Sequence, residues 1–467
     1  MTYNICNFDV NITSILTSFL EPHEIKSLGT ACKTSNRQTR PFMTYSYDQY
    51  DSVCSNAHNL KWMIENYSEL TVNECISKKL MITHIYFASF FNQEIKAVSQ
   101  CVHLRSITFG NDFNQSIKCL ASCTQLNSIT FGSSFNQSIT ALSNCGRLTQ
   151  ITFGDAFNKS IRCLEMCTQL RQIKFGESFT QSIDTLGNCR QLLQITFGNK
   201  FDNSINALSN CTQLRRLVFG WSFNKSIKAL SRCTHLQYIT FGSEFNQSIA
   251  NFSHCKQLLK IQFGYGFNRP IDAIANCRLL EHLTFGYRFN QPIDALAKCT
   301  SLNHIIFDWN FNKSIQSLSN CTMLEYITFS YDFNKSIESL AGCTQLKQLV
   351  LGHNFNQPIE SLANCTHLRQ LTFGRNFNQS IKSLENCKHI RQLSFGHNFN
   401  QPIDILSKST SLQQIKFGES FNQSVELLSD CIQIKQIVCD KTFNKSSDII
   451  SKLVKKYVRR VIPCDTV

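Results

Sequence analysis

The chain has 467 residues, enough for about three ordinary domains of roughly 150 residues each. Apolar residues make up 42%, enough for a large core, and charged residues 17%, a share below the usual value of about 25% that argues against a disordered chain. The formal charge, 46 basic against 32 acidic residues or +14, is spread along the sequence and selects no ligand by itself. Residues 1–9 carry no basic side chain and the first lysine is Lys26, which argues against a secretory leader. No apolar run approaches the ~18 residues of a membrane span. The expectation is a soluble intracellular protein with no membrane partner.

Near the start, Ile12, Ile15, Leu16, Phe19 and Leu20 fall at i, i+3, i+4, i+7 and i+8. This spacing predicts an apolar helical stripe that Pro22 stops. Ile25, Leu28 and Cys32 predict a second short helix. Residues 57–67, with Leu60, Met63, Ile64 and Tyr67, predict a third helix that caps the first turn of a long repeating segment.

From Phe91 onward a phenylalanine recurs every 22 residues without a slip to Phe443, making 17 copies. Asn follows it in 15 of them, the exceptions being Thr180 and Asp202. Ile117, Leu120, Cys123, Leu126, Ile129, Phe131 and Phe135 mark the seven apolar columns of one copy. Of 37 phenylalanines, 17 stand in the Phe-Asn column and 15 in the column of Phe131, so phenylalanine is the predicted core. A single 22-residue turn buries too little apolar surface to offset its own ordering, and an uninterrupted period therefore predicts turns stacked into one coil with a continuous interior.

Within a turn, Leu126-x-x-Ile129-x-Phe131 ends in alternation, which predicts a short parallel strand with Ser128 and Thr130 outward. Gly follows the strand in most copies, where a corner can need positive φ, and Asp308, Ser330 and Asp440 replace it. Ser alternates with Pro three places after the Phe-Asn phenylalanine (Ser116, Pro270, Pro292), so that stretch is a bend whose N–H no ladder requires. Ala141 to Cys145 reads as a short helical or tight turn that returns the chain to the next strand. At the far end, Lys455, Lys456, Arg459 and Arg460 beside Val454, Val458 and Val461 predict a closing cap over Asp448 to Ile462.

The pattern Leu-x-x-Ile-x-Phe-Gly-x-x-Phe-Asn-x-Ser/Pro-Ile-x-x-Leu resembles the FNIP repeat, a relative of the leucine-rich repeat, over about Leu80 to Ser447. The run from Phe8 to Lys33 resembles an F-box, with Phe8-Asp9 where Leu-Pro is common. Together they resemble F-box and FNIP repeat-containing proteins of amoebae and of large DNA viruses that infect them. That resemblance implies a repeat solenoid, leucine-rich-repeat-like, with 22-residue turns, a long parallel β-sheet and a small all-α F-box-like segment. A three-sided parallel β-helix is the alternative fold. The domain reading is F-box-like helices over 1–40, a helical linker and N-terminal cap over 41–79, the solenoid over 80–447 and a C-terminal cap over 448–467. By the same resemblance, Ile12, Ile15, Leu16, Phe19, Leu20, Pro22, Ile25 and Leu28 dock on the linker subunit of an SCF-type ubiquitin ligase, and the solenoid holds an unknown target protein.

Of 23 cysteines, 15 form a 22-residue ladder broken at Ser409. A buried Cys behaves as a small hydrophobe, and stacked parallel side chains need not face each other, so free thiols are expected over disulfides. The spacings Cys119-x-x-x-Cys123 and Cys163-x-x-x-Cys167 lack the Cys-x-x-Cys pairs of structural zinc sites, and no metal or cofactor is predicted. The Asn column reads as amides that satisfy backbone groups of neighbouring turns. No phosphate loop, zinc helix or nucleophile elbow is present in the sequence, and an enzyme is not expected.

Function in a solenoid resides where the repeats differ. The second residue before each Phe-Asn phenylalanine is polar in the early copies (Asn111, Ser133, Asp155, Glu177, Asn199) and largely aromatic in the middle ones: Trp221, Tyr265, Tyr287, Trp309, Tyr331, then His353. The outward strand column adds Tyr238, His282, His304 and Tyr326. Aromatic side chains offer large contact area with few rotors to freeze, so this set is the predicted protein-binding patch; stacking for stability alone is the competing reading. A second outward set is basic (Arg105, Arg171, Lys174, Arg215, Arg216, Lys260, Lys347, Arg369, Arg391, Lys416, Lys435), with only Glu281 and Glu325 as acids at corresponding places. It fits an acidic protein better than nucleic acid, which is the least favoured partner. The overall expectation is an adaptor without catalysis, in the cytoplasm or nucleus; a ubiquitin-independent scaffold is the alternative.

Overall fold

The computed structural model describes residues 60–64, 82–439 and 460–463. The F-box-like run, with Ile12, Ile15, Leu16, Phe19, Leu20, Pro22, Ile25 and Leu28, lies outside the described residues. The chain forms two compact units, one ending at Asn203 and one beginning at Ser204.

Both units are built from the same rung. In the first, the strand Ile82–Phe87 is followed by Ser106–Thr108, Ser128–Thr130, Gln150–Thr152, Gln172–Lys174 and Gln194–Thr196. Each is parallel to its predecessor and displaced by one 22-residue period, as in Ile107 beside Ile129 beside Ile151. In the second, strands continue at the same spacing from Arg216–Val218 to Gln436–Cys439, again parallel and in register. These are the long parallel strand arrays of a leucine-rich-repeat solenoid. The β-helix alternative needs three strands per turn, whereas each described turn carries one strand and one short 3₁₀ helix.

The 3₁₀ helix answers the part of the repeat that the sequence left between a helical and a tight turn. Thr140–Asn144 is held by Leu142 N–H to Ile139 O at 2.9 Å and Cys145 N–H to Leu142 O at 2.9 Å. Its cause is a run of apolar residues at a strict spacing of three, Ile139, Leu142, Cys145 and Leu148, all buried. A 3₁₀ helix has three residues per turn and eclipses side chains three apart, so this spacing puts all of them inward.

Two expectations are corrected. The helix predicted over 57–67 is replaced in its described part by a strand, Leu60–Ile64, that pairs in parallel with Ile82–Phe87, with a register irregularity after Leu60. Leu60, Met63 and Ile64 satisfy helical spacing in so short a window that pattern alone does not decide. The exposed edge of Ile82–Phe87 supplies the unpaired backbone groups that decide for a strand. At the other end Arg460–Pro463 covers the edge of Gln436–Cys439 in the same way.

The second correction concerns the glycine after each strand, which does not adopt positive φ. A Cβ on Gly132 would lie 1.9 Å from the carbonyl oxygen of Gly110, the glycine one turn earlier. Close approach of stacked backbones selects glycine here. Where Asp308 and Ser330 replace it, the strands His304–Phe307 and Tyr326–Phe329 run one residue longer and pair Phe307 with Phe329.

The interior is phenylalanine, as the columns predict. Within a turn the two rings stack closely, 4.0 Å between centroids for Phe153 and Phe157 and 3.8 Å for Phe285 and Phe289. Between turns each column stacks on itself, 6.1 Å for Phe157 on Phe179 and 6.0 Å for Phe289 on Phe311. The Asn column performs the backbone role expected of it. Asn136 N–H donates to Asn114 Oδ1 at 2.9 Å, and Asn312 N–H to Asn290 Oδ1 at 3.0 Å. The bend therefore has a side-chain ladder in place of a strand ladder.

Candidate functional site

The ladder cysteines are part of the interior. Cys145 Sγ donates to Leu120 O at 3.7 Å and to Cys123 O at 3.6 Å, and its successors repeat the contact with the preceding turn. Burial pushes these thiols up, to about 12 at Cys233, Cys277 and Cys299, which keeps them protonated and unreactive. The half-buried Cys119 and Cys163 are raised to about 11 by the same cause. Among the described residues no group of three or more His, Cys, Asp or Glu side chains is placed to hold a metal ion, and no helix is long and apolar enough to cross a membrane.

The aromatic set lies wholly on the second unit, in two outward columns. Tyr265, Tyr287, Trp309, Tyr331 and His353 occupy the turn after successive strands and stack on one another, with centroid separations of 4.6, 5.3, 4.2 and 4.2 Å. Arg288 lies over the Tyr265 ring at 5.5 Å. On the strands, His282, His304 and Tyr326 form a parallel stack with separations of 5.6 and 5.5 Å. Two predicted members stand apart. Trp221 is separated from Tyr265 by the turn of Ser243 and donates from Nε1 to Glu244 at 3.3 Å. Tyr238 is separated from His282 by Lys260, which pairs in register with both.

Stacking does not hide this surface. Tyr265 keeps 47% of its area exposed, Trp309 39% and Tyr326 37%, the other stacked rings are half-buried, and the phenylalanines behind them are buried. In chain order each rung presents a ring on the first strand residue, a half-buried Thr284, Ile306 or Thr328 on the third, and a second ring in the turn. The result is a two-walled strip whose floor is made of half-buried, β-branched side chains. That floor follows from the alternation His304, Ile305, Ile306, in which Ile305 alone turns inward.

The charges around the strip are largely engaged. Lys347 Nζ meets Glu325 at 2.7 Å, and Glu281 lies 4.0 Å from His282 Nδ1. Asp308 accepts from Trp309 N–H at 2.8 Å, and Asp332 from Asn354 Nδ2 at 3.2 Å. Burial, followed by the nearby His282 and Lys260, holds the His304 imidazole below its ordinary value, which favours its neutral form. The members sequence reading missed are Arg288 and the floor residue Ile306. The loss of the strand-ending glycine at Asp308 and Ser330, inside the aromatic stretch, was the available signal.

A family model described as the BspA-type leucine-rich repeat region matches residues 73–162, 94–215, 188–294 and 275–390, more than half of the chain. The chain belongs to the BspA-type leucine-rich repeat family. Repeats of this family are typical of protein-protein interaction scaffolds. A leucine-rich-repeat protein of Leptospira interrogans is similar over 86% of this chain and 100% of its own, at 10% identity and a TM-score of 0.67. A chain of the Toll-Spatzle complex of Drosophila is similar over 82% of this chain and 58% of its own, at 14% identity and a TM-score of 0.64. The functional domain of InlJ from Listeria monocytogenes, described as including a cysteine ladder, is similar over 77% of this chain and 73% of its own, at 13% identity and a TM-score of 0.51. At these identities the likeness is one of fold. No curated protein matches the sequence.

Proposed function

We propose that this BspA-type repeat protein is a substrate-recruiting adaptor of an SCF-type ubiquitin ligase in the cytoplasm, whose F-box-like segment docks on the ligase linker subunit while the solenoid holds a target protein. The observation that carries the target-binding half is the mutually stacked, solvent-facing column Tyr265 to His353 with its partner column His282 to Tyr326, in which Tyr265, Trp309 and Tyr326 are exposed and the other rings half-buried. Rings already held in place lose little freedom when a partner covers them, which is the property of a binding hot spot. The ligase-docking half is supported by the apolar run Ile12 to Leu28. Catalysis belongs to other subunits in this scheme, and the adaptor contributes by raising the effective concentration of target lysines near a charged ubiquitin carrier.

A ubiquitin-independent scaffold is the second reading, because Phe8-Asp9 stands where an F-box commonly has Leu-Pro. Nucleic acid is the poorer partner for the strip: base stacking needs free ring faces, and here the faces of Tyr287, Trp309 and Tyr331 cover each other. Capture of purified linker subunit by the full chain, and its loss on removing residues 1–40, is the result expected of an adaptor. Retention by neither would leave the scaffold. Replacing Tyr287 and Trp309 by Ser is expected to abolish target capture with the fold intact; unchanged capture would remove the strip from consideration.

A further inference from the structure

Beyond the aromatic strip, the same outward columns change character. From the turn of Lys347 onward the residue before each strand is Lys347, Arg369, Arg391, Gln413 and Lys435, and the first strand residue is Gln in every rung, Gln348 to Gln436. Arg375 stands in the turn column next to His353, and Lys416 on the third strand position. Arg369, Arg375 and Arg391 are exposed, and among the described residues none of them has a carboxylate partner. Arg391 N–H donates to Arg369 O at 2.7 Å, so the two guanidinium-bearing residues occupy adjacent rungs. Like charges on neighbouring strands repel, and the repulsion is uncompensated within this face.

The acids of these turns sit elsewhere. Glu360, Asp404, Glu426 and Asp430 are exposed on the 3₁₀ side, while the strand side offers Glu419, which His397 Nδ1 meets at 3.1 Å. The 3₁₀ side thus carries both signs, with Lys382 and Lys408 among its acids and Lys408 paired to Glu385, whereas the strand side of these turns is almost wholly basic. The aromatic columns beside this basic stretch present ring edges, because their faces are stacked, and the edge of an aromatic ring is its positive side.

We infer that the partner segment held by this sheet face is an extended acidic polypeptide, with an apolar or aromatic anchor on the Trp309–Tyr331 strip and a run of carboxylates over Arg369 and Arg391. This rests on the aromatic strip being the target-binding surface. Bidentate carboxylate-guanidinium pairing would relieve the Arg369–Arg391 repulsion, and the Gln column would donate to the backbone of the bound chain. Spacing is set by the rungs. Along the stack, three to four rungs at ~4.8 Å separate Trp309 from Arg369 and Arg391, a rise of about 14 to 19 Å, to which the width of the strand between the turn column and the Arg column adds. An extended chain needs at least about four to six residues for the rise alone.

The test uses the full chain and fluorescent peptides. One has an aromatic pair, a five-residue neutral spacer and four glutamates; a second has the same composition interleaved; a third has lysines for glutamates. A single-stranded oligonucleotide of equal charge is the fourth probe. The block peptide is expected to bind at least ~10-fold more tightly than the interleaved one, and to weaken as salt rises. Arg369→Glu with Arg391→Glu is expected to lower its affinity ~10-fold or more without shifting the thermal midpoint. If Tyr287→Ser with Trp309→Ser abolishes peptide binding but the charge reversals do not change it, the acidic run is overturned while the strip stands. If the charge reversals abolish binding and the ring replacements leave it unchanged, the strip falls, and with it the anchored segment proposed here. No binding of the block peptide, or tighter binding of the oligonucleotide, overturns the inference.

Discussion

The two units have the same kind of interior and differ in what they show to solvent. In the first, the turn column reads Asn111, Ser133, Asp155, Glu177 and Asn199; in the second the same column supplies the stack from Tyr265 to His353. Behind both, the paired rings of a turn lie 3.8 to 4.4 Å apart and the Asn ladder bonds are 2.8 to 3.1 Å long. The turn column is free to change because its recurring contribution to the scaffold comes from the main chain rather than from a repeated side chain. What it adds in common to the rungs is backbone, as when Glu244 N–H donates to Trp221 O at 2.9 Å and Ser134 N–H to Asn111 O at 2.8 Å, and side-chain bonds such as Asn199 N–H to Glu177 Oε2 at 3.0 Å are confined to single turns. A solenoid can thus acquire a binding strip without altering its core.

If that separation holds, matched substitutions in the two units must cost the same. The largest expected effect is in the interior: Phe135→Ala and Phe289→Ala should each destabilise by about 3–5 kcal/mol, read from denaturant midpoints, since both rings are fully buried between identical neighbours. Unequal losses would break the idea of a common scaffold. A smaller effect is expected in the bend. Asn136→Ala and Asn290→Ala each remove one acceptor from the backbone N–H of the next turn, Asn158 and Asn312 respectively, at a cost of about 1 kcal/mol.

The smallest effect should distinguish the units. His304 has its imidazole held below 6.5 in the fold, so above that pH both folded and unfolded chains carry it neutral and it contributes nothing. As pH falls through 6.5 the unfolded chain takes the proton first, and stability declines until the folded imidazole is protonated too. The fall in urea midpoint between about pH 7.5 and about pH 5.5 should therefore be smaller in His304→Gln. The first unit has Ser or Gln in this column from Ser106 to Gln194, and replacing Gln172 by Ala should leave the pH dependence unchanged.

Much of this molecule was legible in its residues because a repeat states each rule many times. The columns of Phe131 and Phe135 placed the core, Ile129 between Ser128 and Thr130 placed the strand, and Asn114 was assigned its backbone role. The helix expected over 57–67 failed because the spacing of Leu60, Met63 and Ile64 is satisfied by two conformations, and the partner Ile82–Phe87 selects one of them. Positive φ at the glycine column failed for a related reason: the demand for glycine comes from the carbonyl of the preceding turn, a contact 22 residues away.

For the candidate surface the division is similar. Which side chains face outward, and that aromatics gather in the middle turns while bases follow them, could be read from period and alternation alone, because burial of seven columns per turn leaves the rest no choice of side. Whether those rings offer faces or edges, whether Trp221 and Tyr238 join the strip, and which charges already have partners depend on atoms brought together from different turns. Those relations are set by distances of a few ångströms across the stack, and only folding creates them.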